Sequence, residues 1–395
     1  MGTGPNIRSY SKSEQHNPNF NIMKIKTRIV INLKKYKICI YAISKNEEKF
    51  VNRWADSMSE ADEIVVTDTG STDKTVEKLR SRGIKVFEEK INPWRFDLAR
   101  NISLSHVPDD MDIVMCTDID EILKPGWREC IEKAWTPETT SGNYLFNFNF
   151  NEDGTPHTQL ICFKVHLKKS YKWVWPIHEC LEFIPNEIHK QEKKVFINGM
   201  IIEHYPDITK SRSSYLKLLE LGVKEYPLSD RMAYYLGREY MYAGKWQDSI
   251  DTLKRHLELP SAQWKEERCA SMRWIAICYR HLKHNHQAYS WHYRAIAEIL
   301  EWRDPYTEFA ETAYFFNDWL TVCFMTERAL KINKKSFYID MGYSWDHTLD
   351  DLAAIANYKL GNFKKSLIHA ENALKFKPND ERLKKNFEFI KQTLI

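Results

Sequence analysis

The spacing of apolar residues changes period once along this chain, near Tyr205, and that change restricts the fold more than any other feature. Before it, short apolar runs alternate with helical stretches: KICIYAI, NEEKFVNRWADSM, EIVVTD, DKTVEKLRSRG, IKVFEE, FDLARNISLSH and DIVMCTD. Such strand–helix–strand repetition predicts parallel strands joined by crossover helices, an α/β sheet. From 143 to 204 the runs NYLFNFNF, TQLICFKVHL and KKVFINGMIIEHY follow one another with no long helix between them, which predicts an antiparallel extension of the sheet. After Tyr205 only helical periodicity remains.

The helical half repeats itself. Aligning AYYLGREYMYAGKWQDSIDTLKRHLEL with DLAAIANYKLGNFKKSLIHAENALKF puts Gly237 on Ala354, Gly244 on Gly361, Trp246 on Phe363, Ser249 on Ser366 and His256 on Ala373. Two further copies fit the frame, with Ala276, Ala288 and Ala295 at the small positions of one and Ala310, Val322 and Ala329 in the other, Trp319 taking the aromatic place. The copies are 39, 34 and 44 residues apart, and the last ends in Pro378, a pattern that resembles tetratricopeptide repeats. Small residues let paired helices approach closely, and stacked pairs build a short solenoid.

At 395 residues the chain exceeds one hydrophobic core. Three regions are expected: a flexible basic tail over 1–36, with a strand near 27–33; an α/β domain over 37–208; and the helical repeats over 209–395. The net charge is +4, yet the first 36 residues carry seven Lys or Arg against one Glu, so the remainder is slightly acidic. A nucleic-acid partner is therefore not expected. No apolar run exceeds six residues, which excludes a transmembrane helix, and no secretory signal is read at the N-terminus. Eight cysteines without a CxxC pair predict free thiols in a reducing compartment, a soluble cytoplasmic protein.

In an open α/β sheet, ligands bind beyond the carboxyl ends of the strands. There this sequence places SKNEE (44–48), DTGSTDKT (68–75) and TDIDE (117–121). Gly70 permits a tight turn and the hydroxyls after it suit a helix cap, but Asp68 at the end of an apolar strand needs a partner. Asp118 and Asp120, read as the end of a strand, share a face, where like charges call for a cation between them. Oxygen ligands of this kind suit Mg²⁺ or Mn²⁺.

These segments taken in order, with FDLARN and CTDIDEIL, resemble family 2 glycosyltransferases of the GT-A fold, in particular those with tetratricopeptide repeats behind the catalytic domain. The resemblance covers about 37–205 for the transferase and 210–390 for the repeats. It implies an inverting transfer from a nucleotide diphosphate sugar, usually UDP-linked, with Mn²⁺ or Mg²⁺ on the diphosphate. By position it assigns Ile43, Asn46 and Glu47 to the nucleoside, Asp68 to the base, Arg100 to the ARN element, Asp118 to the ribose and sugar, and Asp120 to the metal. Where the family usually has Asp before the equivalent of Phe96, this chain has Arg95, with Asp97 as the candidate substitute. An inverting enzyme needs a base opposite the leaving group. Glu179, in the WPIHE segment, is the expected base and Glu121 its rival, with His204 as a further metal ligand. Trp173 and Trp175 fit either sugar stacking or sheet packing. Lys164, Lys168, Lys169 and Lys172 read as a solvated edge strand.

The repeats suit a peptide or protein acceptor, while a polysaccharide or lipid-linked glycan acceptor stays open. They also offer a homodimer surface through Trp264, Trp274, Trp291 and Trp302. The rival reading from a different class is an interaction scaffold whose transferase half is inactive.

Overall fold

Strands β1 (Ile38–Ser44), β2 (Glu63–Asp68), β3 (Lys85–Glu88) and β4 (Ile113–Cys116) are joined by helices α1 (Val51–Ser57), α2 (Thr75–Ser81) and α3 (Phe96–Ser105). β1 pairs in parallel with β2 and β4, and β2 with β3. The computed structural model describes residues 36–151, 153–207, 215–335 and 341–394, so the basic segment read as a tail lies outside the described residues except for Tyr36. β1 is central and buried on both faces: Ile38, Ile40 and Ala42 enter one core with Trp54 and Trp127, while Cys39 and Tyr41 enter the other with Val114 and Trp173. Its continuous apolar run is what a doubly covered parallel strand requires.

The chain continues through β5 (Glu121–Leu123), α4 (Trp127–Ala134), β6 (Ser141–Phe150), β7 (Pro156–His166), β8 (Tyr171–Val174), β9 (Cys180–Phe183) and β10 (Lys194–His204). The eight-stranded sheet runs β3-β2-β1-β4-β7-β6-β10-β5, and β8 and β9 form a separate ribbon. β7 lies antiparallel between β4 and β6, as expected for the extension. β10 departs from that expectation: it pairs with β6 in parallel. After β6 the chain runs back along β7, leaves the sheet for the ribbon, and re-enters in the direction of β6. β5 then closes the edge antiparallel to β10, with His204 opposite Glu121.

Among the described residues ten helices follow: α5 (Tyr215–Glu225), α6 (Asp230–Tyr242), α7 (Trp246–Glu258), α8 (Lys265–His281), α9 (Asn285–Glu298), α10 (Asp304–Phe315), α11 (Trp319–Leu330), α12 (Thr348–Lys359), α13 (Phe363–Phe376) and α14 (Glu381–Gln392). Apart from the turn glycines Gly244 and Gly361, the aligned small residues meet inside the pairs α6/α7, α8/α9, α10/α11 and α12/α13, where each is buried. Ser249 donates to the Gly237 carbonyl at 2.8 Å, and its counterpart Ser366 donates to that of Ala354 at 2.7 Å. The turn inside each pair carries one left-handed residue: Gly244 (φ 71°), Lys283 (59°), Asn317 (61°) and Gly361 (75°). These lie at the repeat spacings read from the sequence. In all four turns the following amide reaches back into the first helix, from Lys245 to Tyr240, His284 to Tyr279, Asp318 to Ala313 and Asn362 to Asn357. The architecture is thus a GT-A-type mixed sheet followed by an all-α tetratricopeptide-like array. Of the aromatics proposed for a homodimer surface, Trp274 and Trp302 are interior, while Trp264 is 49% exposed. Among the described residues, no helix is long and apolar enough to cross a membrane.

The first helices of the array pack on the sheet half. Ile177 of the β8–β9 loop sits among Leu218, Leu219 and Leu236, and the Phe96 amide donates to the Pro176 carbonyl at 3.0 Å.

Candidate active site

The carboxyl ends of β1, β2 and β4 bring Ser44, Asp68 and the 117–121 turn to one edge of the sheet. Asp68 is buried and fully engaged: Oδ1 accepts from the amides of Gly70 (3.0 Å) and Ser71 (2.8 Å), and Oδ2 from the hydroxyls of Ser44 (2.8 Å) and Ser71 (2.5 Å). The polar partners that its burial demands are its own loop and the end of β1. Asn46, left-handed at φ 55°, accepts from the Thr72 amide at 2.8 Å, and its amide donates to Ser71 Oγ at 2.8 Å, so the loops after β1 and β2 clasp each other. Glu47 is buried beside them, its amide donating to Thr75 Oγ1 at 2.7 Å. Ile43 pairs with Thr67 in the adjoining strands.

Asp118 and Asp120 are not on a strand. They lie in the tight turn between β4 and β5, and their side chains part. Asp118 meets Arg100 Nη2 at 2.8 Å and Lys164 Nζ at 3.0 Å. Burial disfavours its charge, but the two cations outweigh burial and hold the carboxyl well below the usual range. Lys164 also meets Glu121 Oε1 at 2.9 Å, while Glu121 Oε2 accepts the Asp118 amide at 3.0 Å. Glu121 is 1% exposed, and burial, aided by the Asp118 charge, pushes its carboxyl up against the pull of Lys164. Arg100 Nε meets Glu179 Oε1 at 2.5 Å, and its guanidinium lies over the Trp173 ring at 5.0 Å. The result is a chain of alternating charge, Glu179–Arg100–Asp118–Lys164–Glu121.

Lys164 corrects the reading of a solvated edge strand. β7 is interior to the sheet, and the Lys164 side chain points into the site between two carboxylates. Lys172 is half exposed and pairs with Glu182 at 2.8 Å. Glu121 opens β5.

The ARN element acts through all three residues. Ala99 is buried under the sheet, Arg100 holds the carboxylates, and Asn101 clasps Trp173 by accepting its amide (2.9 Å) and donating to its carbonyl (2.8 Å). Trp173 Nε1 donates to the Tyr41 hydroxyl at 2.8 Å, which meets His166 Nε2 at 2.8 Å; His166 Nδ1 donates to the Leu167 carbonyl at 3.0 Å. Of the two tryptophans considered for sugar stacking, Trp173 is therefore a buried packing residue. Trp175 sits just past β8 at φ 76°.

Asp97 is bound on both oxygens by Arg95 (3.0 and 2.8 Å), which also grips Glu225 of α5 (2.7 and 2.9 Å). The Arg95 departure thus ties the start of α3 to the helical array, and Asp97 is spent on that tie.

Asp120 Oδ2 faces His204 Nε2 at 3.5 Å, and His204 Nδ1 meets the Phe148 carbonyl at 3.2 Å. A carbonyl only accepts, so Nδ1 carries the proton and the Nε2 lone pair faces the carboxylate. Such a pair wants a proton or a cation between its members. Burial works against a charged His204, but Asp120 outweighs it and holds the imidazole above its usual range. An oxygen and an imidazole nitrogen backed by a carbonyl fit a divalent metal. Among the described residues no group of three or more His, Cys, Asp or Glu stands ready to hold one.

The WPIHE loop that carries Glu179 is braced by the array. His178, left-handed at φ 51°, stacks on Tyr235 of α6 at 3.9 Å, and the Arg231 guanidinium lies over the Trp175 ring at 5.6 Å. The sequence offered no sign of this bracing. For Lys164 the alternation of TQLICFKVHL offered one, since it shares a face with Cys162 and His166.

Residues 39–186 match the family model described as glycosyl transferase family 2. Among solved structures, the chain is similar to the hetero-tetramer Cut9-Hcn1 of APC/C (13% identity, 46% of this chain, 33% of that chain, TM-score 0.37). It is also similar to MamA (16%, 44% and 96%, TM-score 0.36). A third is a thermophilic TPR protein in Thermus thermophilus (14%, 46% and 90%, TM-score 0.34). The chain spans one third of the first of these and most of the other two.

Proposed function

Because residues 39–186 match the family 2 glycosyltransferases, we propose that this chain is an inverting, divalent-metal-dependent transferase. It moves a sugar from a nucleotide diphosphate, a UDP-sugar in this reading, to an acceptor hydroxyl or thiol held against the helical repeats. The observation that supports it most is the alternating charge chain at the carboxyl end of β4, beside the Asp120–His204 pair.

In this reading Glu179 takes the proton of the acceptor as it attacks from the face opposite the leaving group. Arg100 aims that carboxylate through the contact of its Nε with Oε1. Glu121, sealed and engaged on both oxygens, is a positioning residue that holds Lys164 and the turn. Asp118 faces the ribose and sugar. Ile43, Asn46, Glu47 and Asp68 shape the nucleoside end, Asp68 through the loop it organises. Asp120 and His204 would hold Mn²⁺ or Mg²⁺, which when bound offsets the charge that grows on the departing diphosphate.

A thermal-shift panel of UDP, GDP, CDP and dTDP, each with and without Mn²⁺, tests the reading on the wild type and on Asp120→Ala. A nucleotide at a hundred times its Kd stabilises by about 2.7 kcal/mol. The expected result is a shift by one nucleotide that needs metal and is lost in Asp120→Ala. No shift with any nucleotide or metal would leave the interaction scaffold as the working function.

A further inference from the structure

Next to the WPIHE loop, α6 presents a stripe at helical spacing: Arg231, Tyr235, Arg238 and Tyr242. The two guanidiniums flank one ring, lying 5.1 and 4.7 Å from the Tyr235 centroid, and Arg238 also lies 6.0 Å from Tyr242. Stacking accounts for their faces but not for their N–H edges. The Nε–H of each is buried without a hydrogen-bond partner among the described residues, and neither guanidinium forms an ion pair there. By contrast, Arg95, Arg100 and Arg128 are all paired with carboxylates. A guanidinium held on an aromatic ring without a carboxylate partner leaves its charge uncompensated, so the stripe suits oxyanions. Tyr242, 65% exposed, extends it away from the loop.

We propose that this stripe docks the acceptor, and that the acceptor is an extended polypeptide whose side-chain carboxylates are interleaved with apolar or aromatic residues. The inference rests on the transferase reading above and names its substrate class. Arg231 and Arg238 stand seven residues apart on a helix, a rise of about 10 Å, which a peptide in the extended polyproline II form covers in one turn of about three residues, with every third side chain on the same face. Two forks separated by a ring match two separate carboxylates on one strand better than a single phosphate, on which both would converge. The rings between them suit the intervening side chains. The near end of the stripe touches Trp175 and His178, so a strand laid along it enters the site beside Glu179.

Fluorescence anisotropy of a labelled peptide of repeating Glu-Phe-Ser, and of its Gln-Phe-Ser counterpart, tests this on the full chain. The wild type should bind the Glu peptide at least about tenfold more tightly, the size of a charge-assisted hydrogen bond. That preference should vanish in the Arg231→Gln/Arg238→Gln double variant and shrink in Arg238→Lys, which keeps the charge without the fork. Equal binding of the two peptides by the wild type, or a preference that survives in the double variant, overturns the proposal. So does binding of anionic phospholipid vesicles that depends on these arginines without any peptide preference. If the double variant does not fold, Tyr242→Ser at the exposed end should still weaken the Glu peptide, and unchanged binding there counts against the stripe. The nucleotide thermal shift in the same preparations separates the two ideas. Nucleotide binding without peptide preference sinks only the docking surface, whereas peptide preference without nucleotide binding sinks the transferase reading.

Discussion

Each half of the molecule is organised around a buried arginine, and the two differ in what lies on the far side of the carboxylates. In the helical array Arg273 of α8 is wholly enclosed, bound to Glu308 at 2.8 and 2.5 Å and facing Asp304 at 3.4 Å, with Tyr343 donating to Glu308 at 2.8 Å. Both partners are sealed, and burial pushes the Asp304 carboxyl up to about 6. In the sheet half Arg100 is also buried, but the side chain of its partner Asp118 is 34% exposed. The same ion-pair chemistry is closed in one place and reaches solvent in the other. The closed network can only fix how helices meet, while the open one holds charges where a ligand can reach them.

The sharpest way to break this contrast is to neutralise one carboxylate of the open network without changing its shape. Glu179→Gln should lower turnover of the sugar donor built on the nucleotide found by thermal shift by about 10²- to 10⁴-fold, the range for losing a general base. Its melting temperature should stay near that of the wild type. A variant that turns over normally would remove Glu179 from the chemistry. The matching change in the closed network is Arg273→Met, which strands Glu308 and Asp304 in the interior. Removing one partner of a buried pair costs about 3–5 kcal/mol, read as a fall in urea midpoint at pH 7, with the nucleotide-induced shift retained. Arg100→Met should cost less stability, since water reaches Asp118. If it costs more, the distinction between open and closed networks fails.

Acid sharpens the contrast again. Burial pushes His166 of the sheet half, and His256 of the array, down to about 4, and His292 well below its ordinary value. The unfolded chain binds more protons than the folded one from the ordinary histidine range down to about 4. The stability these groups supply is therefore complete above pH 6.5 and is lost as pH falls through that window, at up to about 1.4 kcal/mol per pH unit for each. In the array Asp304 and Glu311, pushed up to about 6 and about 7 by burial, act in the opposite sense, since their folded forms keep protons that the unfolded chain releases. In the sheet half Glu121, pushed up by burial, and His204, held up by Asp120, act in that same opposite sense. His166→Gln, which keeps an acceptor for Tyr41 and a donor for Leu167, should flatten the loss of stability between pH 6.5 and 5 in urea titrations. An unchanged slope would mean that His166 is not the group responsible.

How much of this was legible in the sequence differs between the halves for a physical reason. Periodicity and turn chemistry are local, so the strand runs and the repeat spacing could be read directly, down to the glycines of the first and last turns. At the site, the DxD segment and the ARN element were readable because each lies at the junction of a strand or helix with a loop. Pairings between distant segments were not. Lys164 is 46 residues from Asp118, and only the placement of β7 between β4 and β6 puts its amine between two carboxylates. The separation of Asp118 from Asp120 was missed because a turn, unlike a strand, sends neighbouring side chains to different partners. Asp97 drew attention as a spare carboxylate, but Arg95 already occupied it.

The smallest expected effect tests the repeat equivalence on the backbone itself. Gly244 and Gly361 take the left-handed turn position without penalty, whereas Lys283 and Asn317 hold it with side chains attached. A left-handed residue other than glycine costs about 1–2 kcal/mol, and glycine gives back about 0.5–1 kcal/mol in unfolded-chain entropy. Lys283→Gly should therefore stabilise by about 0.5–1 kcal/mol, a higher urea midpoint with an unchanged slope, and Gly361→Ala, open around its Cα, should destabilise by about as much. A loss in Lys283→Gly would show that the four turns are not interchangeable. The same exchange in the sheet half should fail for a different reason. Asn46 is also left-handed, but its side chain accepts the Thr72 amide, so Asn46→Gly relieves the backbone and undoes the clasp between the β1 and β2 loops. In the array the strain is incidental to a turn, whereas beside the candidate site it belongs to residues whose side chains hold the loops in place.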